Sequence, residues 1–371
     1  MKKISHRYVR KTAAGVVALS MLCAAAIPSV LAMSAGAASA SGDLNGDGSV
    51  TAADVAILQT SLLGGTALTA EQYANADVTG DGAVDGLDLT RLRQMAAVVP
   101  VSDAIAIHLS DSGITVEGDT KGVTAVSGKT VTISASGNYT VDGSITDGQI
   151  LVNIPDTTAD SDAVSLYLQD VTMTSSTGAP CILGQSAKKL KLTCSGENTL
   201  TDTAAEANAD TSGVIYGDCD ITVTKNSTGT LNITSSMNTA IRSKDDIKLN
   251  GGAVVINTDV DDTSDADAIR ANNTLEVDGA SVSITSSADG LKSSKEDVSI
   301  LSGKVSIKAG NDAVQAATAL NISGGTVIAS GDRGFTLDEN GTLAITGGDV
   351  LEKAKSMGIN VSKESDEITD I

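Results

Sequence analysis

Two stretches near the N-terminus carry carboxylates at a spacing that fits one kind of chemistry. Asp43-Leu44-Asn45-Gly46-Asp47-Gly48-Ser49-Val50-Thr51-Ala52-Ala53-Asp54 puts side-chain oxygens at positions 1, 3, 5 and 12 of a 12-residue loop, with glycine at position 6. Asp77-Val78-Thr79-Gly80-Asp81-Gly82-Ala83-Val84-Asp85-Gly86-Leu87-Asp88 repeats every feature. A loop of this pattern wraps one Ca2+, with a glycine for the sharp turn and a bidentate carboxylate closing the shell. The expected ligands are Asp43, Asn45, Asp47, Ser49 and Asp54 in one copy and Asp77, Thr79, Asp81, Ala83 and Asp88 in the other, Ser49 and Ala83 through their carbonyls. Two ions are expected here.

A second set of charged residues recurs further along. Ala266-Asp267-Ala268-Ile269-Arg270, Ala288-Asp289-Gly290-Leu291-Lys292, Asn311-Asp312-Ala313-Val314-Gln315 and Asp332-Arg333-Gly334-Phe335-Thr336 are versions of one phrase. It extends back to Asn238-Thr239-Ala240-Ile241-Arg242 and forward to Met357-Gly358-Ile359, and the steps between equivalent apolar residues are 28, 22, 23, 21 and 24. Stacking the copies would put Arg242, Arg270 and Lys292 in one outward column and Asp267, Asp289 and Asp312 in the column beside it. Carboxylates about 4.8 Å apart repel by roughly 3 kcal/mol at an effective dielectric of about 20. Such a stack wants a cation or a proton, and calcium on Asp267, Asp289 and Asp312 is one answer. Balance by the adjacent Arg and Lys is the other.

The elements that position these residues are strands. Each unit holds a hydrophobic pair at a constant five-residue step, Leu249 to Val254, Val277 to Val282, Ile300 to Val305, Ile322 to Val327 and Ile345 to Val350. Gly252, Gly279, Gly303, Gly324 or Gly347 lies between, where a tight corner needs a residue without Cβ. Alternation such as Val282-Ser283-Ile284 has the period of a strand. Short strands and glycine corners repeating every 20 to 28 residues predict a mainly β chain folded as a right-handed parallel β-helix, a solenoid whose coils bury each other's apolar faces. Leucine-rich and helical repeats lack support. Each calcium loop is followed by apolar residues at helical spacing, 55–63 and 89–97, so a small all-α calcium-binding module precedes the solenoid.

Residues 1–40 open with Lys2, Lys3, Arg7, Arg10 and Lys11, continue with an apolar run and end on Ala38-Ser39-Ala40, the layout of a secretory signal peptide. Its removal takes the formal charge from −21 to −26. So acidic a chain is not expected to bind nucleic acid, and it would repel polyanions unless metal ions intervene. No later segment could span a membrane. Cys181, Cys194 and Cys219 remain, an odd count without CxxC spacing, consistent with buried thiols or one disulfide. His108 is expected to be structural or exposed.

With Asp at position 12 of both loops and no entering helix, residues 42–99 resemble a type I dockerin, the module that plugs into a cohesin domain of a cellulosome scaffoldin. The resemblance implies that positions 10, 11, 17 and 18 of each repeat face the cohesin: Ala52, Ala53, Gln59 and Thr60, then Gly86, Leu87, Arg93 and Gln94. The two copies differ, a departure from the matching pairs that many dockerins carry.

After a short linker at 100–103, residues 104–361 resemble a family of secreted calcium- and carbohydrate-binding β-helix proteins of cellulolytic bacteria, through Ser243-Lys244-Asp245-Asp246-Ile247, Asp289-Gly290-Leu291-Lys292 and Ile322-Ser323-Gly324-Gly325-Thr326-Val327. The resemblance implies binding of cellulose or acidic sugars such as polygalacturonate, on a scaffold related to pectate lyases. A tail at 362–371 is charged. The residues point to a shallow floor of Ala268, Gly290 and Ala313, with glycan held by Arg242, Arg270, Lys292, Asp289 and Asp312. With no Trp and one Phe, a flat stacking platform is not expected. The expected protein is a secreted, cellulosome-associated monomer that binds a pectin-like plant cell-wall polysaccharide with calcium assistance. A calcium-dependent lyase with Arg270 or Lys292 as base, and an adhesive solenoid without glycan binding, are the alternatives.

Overall fold

A computed structural model of the chain describes residues 42–46, 50, 52–96, 104–258 and 266–354. The expected signal (1–40), linker (100–103), tail (362–371), the repeat at Met357-Gly358-Ile359 and the loop ligands Asp47 and Ser49 lie outside the described residues.

Among the described residues the N-terminal part holds three helices, α1 (Ala52–Leu62), α2 (Ala70–Ala76) and α3 (Gly86–Ala96). Leu58 and Leu92, at equivalent places in the two copies, are buried with Leu44 and Ala76, and Val55, Ile57 and Leu89 pack around them. Helix α2 corrects the sequence reading, which gave neither loop an entering helix. Its start is a capping box: the Gln72 amide donates to Thr69 Oγ1 at 3.2 Å, and the Thr69 amide donates to Gln72 Oε1 at 3.0 Å. It ends at Asp77, the first residue of the second loop.

The described residues from Ile105 to Ala354 form a parallel β-helix with three ribbons of strands. Ribbon 1 is a sheet of ten strands, and its inner ladder runs in register through Val131, Ile150, Ile182, Ile215, Ile241, Ile269, Leu291, Val314 and Phe335. Leu249, Val277, Ile300, Ile322 and Ile345 stack in ribbon 2, and Val254, Val282, Val305, Val327 and Val350 in ribbon 3. The constant five-residue step is thus the distance round one corner between two inner ladders. The three ladders share one core. Each fully buried aliphatic side chain contributes about 1.5–3 kcal/mol, and every coil depends on its neighbours for that burial.

The strands Leu275–Ser286 and Val298–Ala309 pass from ribbon 2 to ribbon 3 without a break, turning at Gly279 (φ 97°) and Gly303 (φ 98°). A Cβ on Gly303 would lie 2.3 Å from the Ala280 carbonyl oxygen. In the last two coils the left-handed residues are Gly325 and Gly348 rather than Gly324 and Gly347. The second glycine of each Gly-Gly pair takes the corner. At the N-terminal end, antiparallel pairing of Ile105–Leu109 with Thr115–Glu117 and of Thr124–Ser127 with Thr130–Ile133 covers the first coil, which protects its edge.

The same registers define the outer columns. On ribbon 1 the column runs Tyr216, which is buried, then Arg242, Arg270, Lys292, Gln315 and Thr336. Ribbon 2 presents Thr222, Lys248, Glu276, Ser299, Asn321 and Ala344. Ribbon 3 presents Ser144, Thr172, Thr199, Asn232, Val255, Ser283, Ser306, Ile328 and Leu351.

Candidate functional site

Arg242, Arg270 and Lys292 occupy successive coils on the outside of ribbon 1, as their spacing requires. The acids beside them are placed differently from the sequence reading. Asp267, Asp289 and Asp312 are 5, 4 and 1% exposed and lie beneath the surface. Asp289 donates its amide to Asp267 Oδ1 at 3.3 Å, and Asp312 donates its amide to Asp289 Oδ1 at 3.1 Å. Each carboxylate therefore ties one coil to the next.

Protein cations meet the outer lone pairs. Lys292 Nζ lies 2.5 Å from Asp289 Oδ2 and 4.0 Å from Asp267 Oδ2, and Arg270 Nη1 lies 3.6 Å from Asp267 Oδ2. Arg333, which pairs with Asp312 in the next coil, closes the column with Nε and Nη2 at 2.5 and 2.9 Å from that carboxylate. Sequence reasoning gave Arg333 no role; its place at the Asp position of the phrase was the available signal. The repulsion that prompted a calcium on Asp267, Asp289 and Asp312 is offset by three basic side chains. Balance is incomplete at one end. Burial pushes the Asp267 carboxyl up to about 6, with Lys292 pulling down and Asp289 pushing up. Burial also raises Asp312, against the charge and the hydrogen bonds of Arg333.

The expected floor is a correction as well. Ala268 and Ala313 are wholly buried in the core. Gly290 faces the neighbouring coil, where an added Cβ would meet the Ala313 carbonyl oxygen and the Ile307 methyl at 2.5 Å. These residues are small because coils approach closely there. Asp289 and Asp312 likewise present no surface to a glycan. What remains outside is a row of donors: Arg270 and Lys292, with 35 and 21% of their side chains exposed, and Arg242 stacked 5.8 Å from the Tyr216 ring centre. Lys244 approaches the same ring at 5.7 Å while pairing with Asp218 at 2.8 Å. Among the described residues no carboxylate pairs with Arg242.

The second loop of the helical part brings Asp77, Asp81 and Asp88 oxygens within 4.8 Å of one another. Asp88 accepts from the amides of Thr79 and Asp85, at 3.1 and 2.9 Å, and Asp77 from Gly80 and Gly82, at 2.8 and 2.9 Å. Burial pulls the Asp88 carboxyl upward, but those hydrogen bonds outweigh it and set it below the usual range. Three converging anions held by backbone donors fit a calcium ion. In the first loop Asp54 accepts from Leu44 and Asn45, and Asp43 from Gly46. Gly46 and Gly80 take left-handed conformations (φ 74° and 73°) in the two loops. On the helix surfaces Arg93 donates to Gln59 at 3.0 Å, and Leu87 is exposed beside Gly86. Thr60 caps back onto the Ala56 carbonyl. The side chains of Ala52, Ala53 and Gln94 lie outside the described residues.

A further acidic group, Asp220, Asp245 and Asp246, was not singled out from sequence as a cluster. Lys189 pairs with Asp220 at 3.3 Å, Asn273 donates to Asp245 at 2.7 Å, and the Thr274 amide donates to Asp246 at 3.0 Å. His108 is half-exposed, with Nδ1 2.8 Å from Asp142. Cys181, Cys194 and Cys219 are free buried thiols, each pushed up to about 12 by burial.

Comparison with known proteins adds four findings. A family model described as carbohydrate-binding domain-containing protein matches residues 127–368. The type I dockerin domain matches residues 41–95. A carbohydrate-binding domain-containing protein of Acetivibrio thermocellus is 33% identical over 138 residues, which is 36% of this chain and 46% of that relative, so the match spans about half the relative's length. Among solved structures, the gadolinium derivative of the polysaccharide lyase-like protein from C. thermocellum aligns with a TM-score of 0.53 and 25% identity, over 67% of this chain and 100% of that one.

Proposed function

The chain belongs to the family of carbohydrate-binding domain-containing proteins and carries a type I dockerin domain ahead of its β-solenoid, and from that premise we propose that it fixes a cell-wall polysaccharide to a scaffold outside the cell. A dockerin marks a cellulosomal, extracellular protein. Among the described residues no helix is long and apolar enough to cross a membrane. In this reading residues 1–40 are a cleaved signal and 42–99 dock a cohesin through Gln59, Thr60, Gly86, Leu87 and Arg93 with their partners Ala52, Ala53 and Gln94.

The observation that carries the glycan assignment is the register of Arg242, Arg270 and Lys292 on ribbon 1. Three long donors at about 4.8 Å steps match a polymer lying along the solenoid axis. Arginine forks pair with carboxylates, so acidic, pectin-like chains are the proposed ligands, and Arg242 is the strongest contact because it shares its charge with no described carboxylate. Asp267, Asp289 and Asp312 hold the column in place rather than touch sugar. Calcium has its role in the dockerin loops, where it would cancel the repulsion between converging carboxylates.

A lyase is the second reading, favoured by the polysaccharide lyase-like neighbour. Against it, the Lys292 ammonium is committed to Asp289 at 2.5 Å. The test is retention of the full chain on polygalacturonate, xylan and cellulose, with calcium and with chelator, while unsaturated uronide absorbance is followed. Retention on polygalacturonate without absorbance supports binding. Growing absorbance that Lys292→Ala removes would establish the lyase instead, and no retention on any glycan would leave only scaffold docking.

A further inference from the structure

Ribbon 3 differs from the other two faces. From Ser144 to Leu351 its outer column takes one residue from each of nine successive coils, and none is charged, in a chain of formal charge −21. Ribbon 1 carries three cations in its column, and ribbon 2 carries the Lys248–Glu276 pair at 3.5 Å. Of its two neighbouring columns, one runs Thr146, Thr174, Thr201, Thr234, Asn257 and Thr285 before its first charge, Lys308, and the other, Glu197, Thr230, Ala253, Ser281, Lys304, Thr326 and Asp349, is uncharged over the three central coils from Thr230 to Ser281.

Folding does not demand this. Outward strand positions accept Lys and Glu readily, and charge there protects a long sheet from association. The inner neighbours on ribbon 3, among them Met173, Leu200, Ile233 and Ile284, are buried and fix the outer groups at about 4.8 Å steps. Val255 and Ile328, two of the four exposed large apolar side chains on the solenoid among the described residues, stand in the same uncharged column at 40 and 37% exposure. Hydroxyls and amides interrupted by aliphatic groups, without charge, match a sugar chain that presents hydroxyls along its edges and C–H faces between them. Along the coils from Thr199 to Ser283 a polyanion would lose hydration without meeting a cation on this face, the first being Lys304 and Lys308 beside Ser306.

We propose that ribbon 3 is a second binding surface, taking an uncharged polysaccharide laid along the solenoid axis. It shares no residue with the basic column of ribbon 1, so either surface can fail without the other.

The test is native affinity electrophoresis of the full chain in gels containing xyloglucan or galactomannan, both uncharged. The wild type is retarded, and Thr199→Lys with Ser283→Lys weakens retardation at least tenfold while polygalacturonate binding persists. Ser299→Lys with Asn321→Lys adds the same charge to ribbon 2 and leaves retardation intact. Far-UV circular dichroism checks folding, and Thr201→Asp in the adjacent column reads the same face should the lysine pair alter the spectrum. A wild type that neither glycan retards, or an equal loss in the ribbon 2 control, would overturn the proposal. So would a dimer that the ribbon 3 lysines dissociate, without glycan retardation, since the face would then be a self-contact.

Discussion

Asp267→Asn is expected to make the protein more stable at neutral pH, although it removes a member of the ion-paired ladder. Burial raises the Asp267 carboxyl from 3.8 to about 6, so the folded environment prefers the neutral form despite Lys292 and Arg270. About 2 pH units correspond to about 3 kcal/mol of instability once the group is fully charged. A raised folded value places this contribution in a definite window. Stability from the neutral form is fully present below 3.8 and is lost as pH rises through about 6. Asparagine keeps an oxygen that can accept the Asp289 amide and never ionises. The variant should therefore exceed the wild type by about 3 kcal/mol at pH 7, by about half of that at pH 5, and by little near pH 4. Urea unfolding of both proteins followed by circular dichroism at these three pH values reads the difference, in which every other titration cancels. An asparagine variant that is less stable at pH 7, or a gap that does not narrow on acidification, would refute the electrostatic account of the ladder.

Chelation should unfold the dockerin helices, with loss of helical circular dichroism that calcium restores and Asp88→Ala prevents from returning, while the solenoid signal stays. Gly303→Ala is expected to cost about 2 kcal/mol or more, since φ is 98° and the new Cβ would meet the Ala280 carbonyl at 2.3 Å; denaturant midpoints check it. Phe335→Ala should cost about 3–5 kcal/mol by opening the end of the ribbon 1 ladder, read the same way. Cys181, Cys194 and Cys219, buried and raised to about 12, should resist a thiol reagent in the native protein and react together on unfolding.

The coil stack was legible because one short phrase recurs at positions that must touch. Ile241, Ile269, Leu291, Val314 and Phe335 pair by their spacing alone, and the folded chain stacks them in that register. The paired 12-residue loops were legible because liganding fixes residue types at fixed offsets, and in the second loop Asp77, Asp81 and Asp88 do converge. Depth was harder. Period-two alternation tells inside from outside within a strand, but Asp267 and Asp289 precede their strands, where the chain is turning. Their burial, and that of Ala268 and Ala313, followed from close coil contacts that spacing does not report. Helix α2 was missed although Thr69 and Gln72 spell its capping box, because its seven residues bury only Ala76 and leave no apolar stripe. Arg333 shows that a repeat can change residue type at an equivalent place: it is a cation where the three preceding coils hold Asp267, Asp289 and Asp312.

The most direct measurement is the affinity of the full chain for polygalacturonate against that of Arg242→Ala with Arg270→Ala, by isothermal titration at fixed calcium. Each lost charge-assisted hydrogen bond is worth about 1.5 kcal/mol or more, so the double variant should bind at least tenfold more weakly, with its circular dichroism unchanged. Wild-type binding that the two substitutions leave unaltered would contradict the assignment of ribbon 1 as the acidic-glycan face.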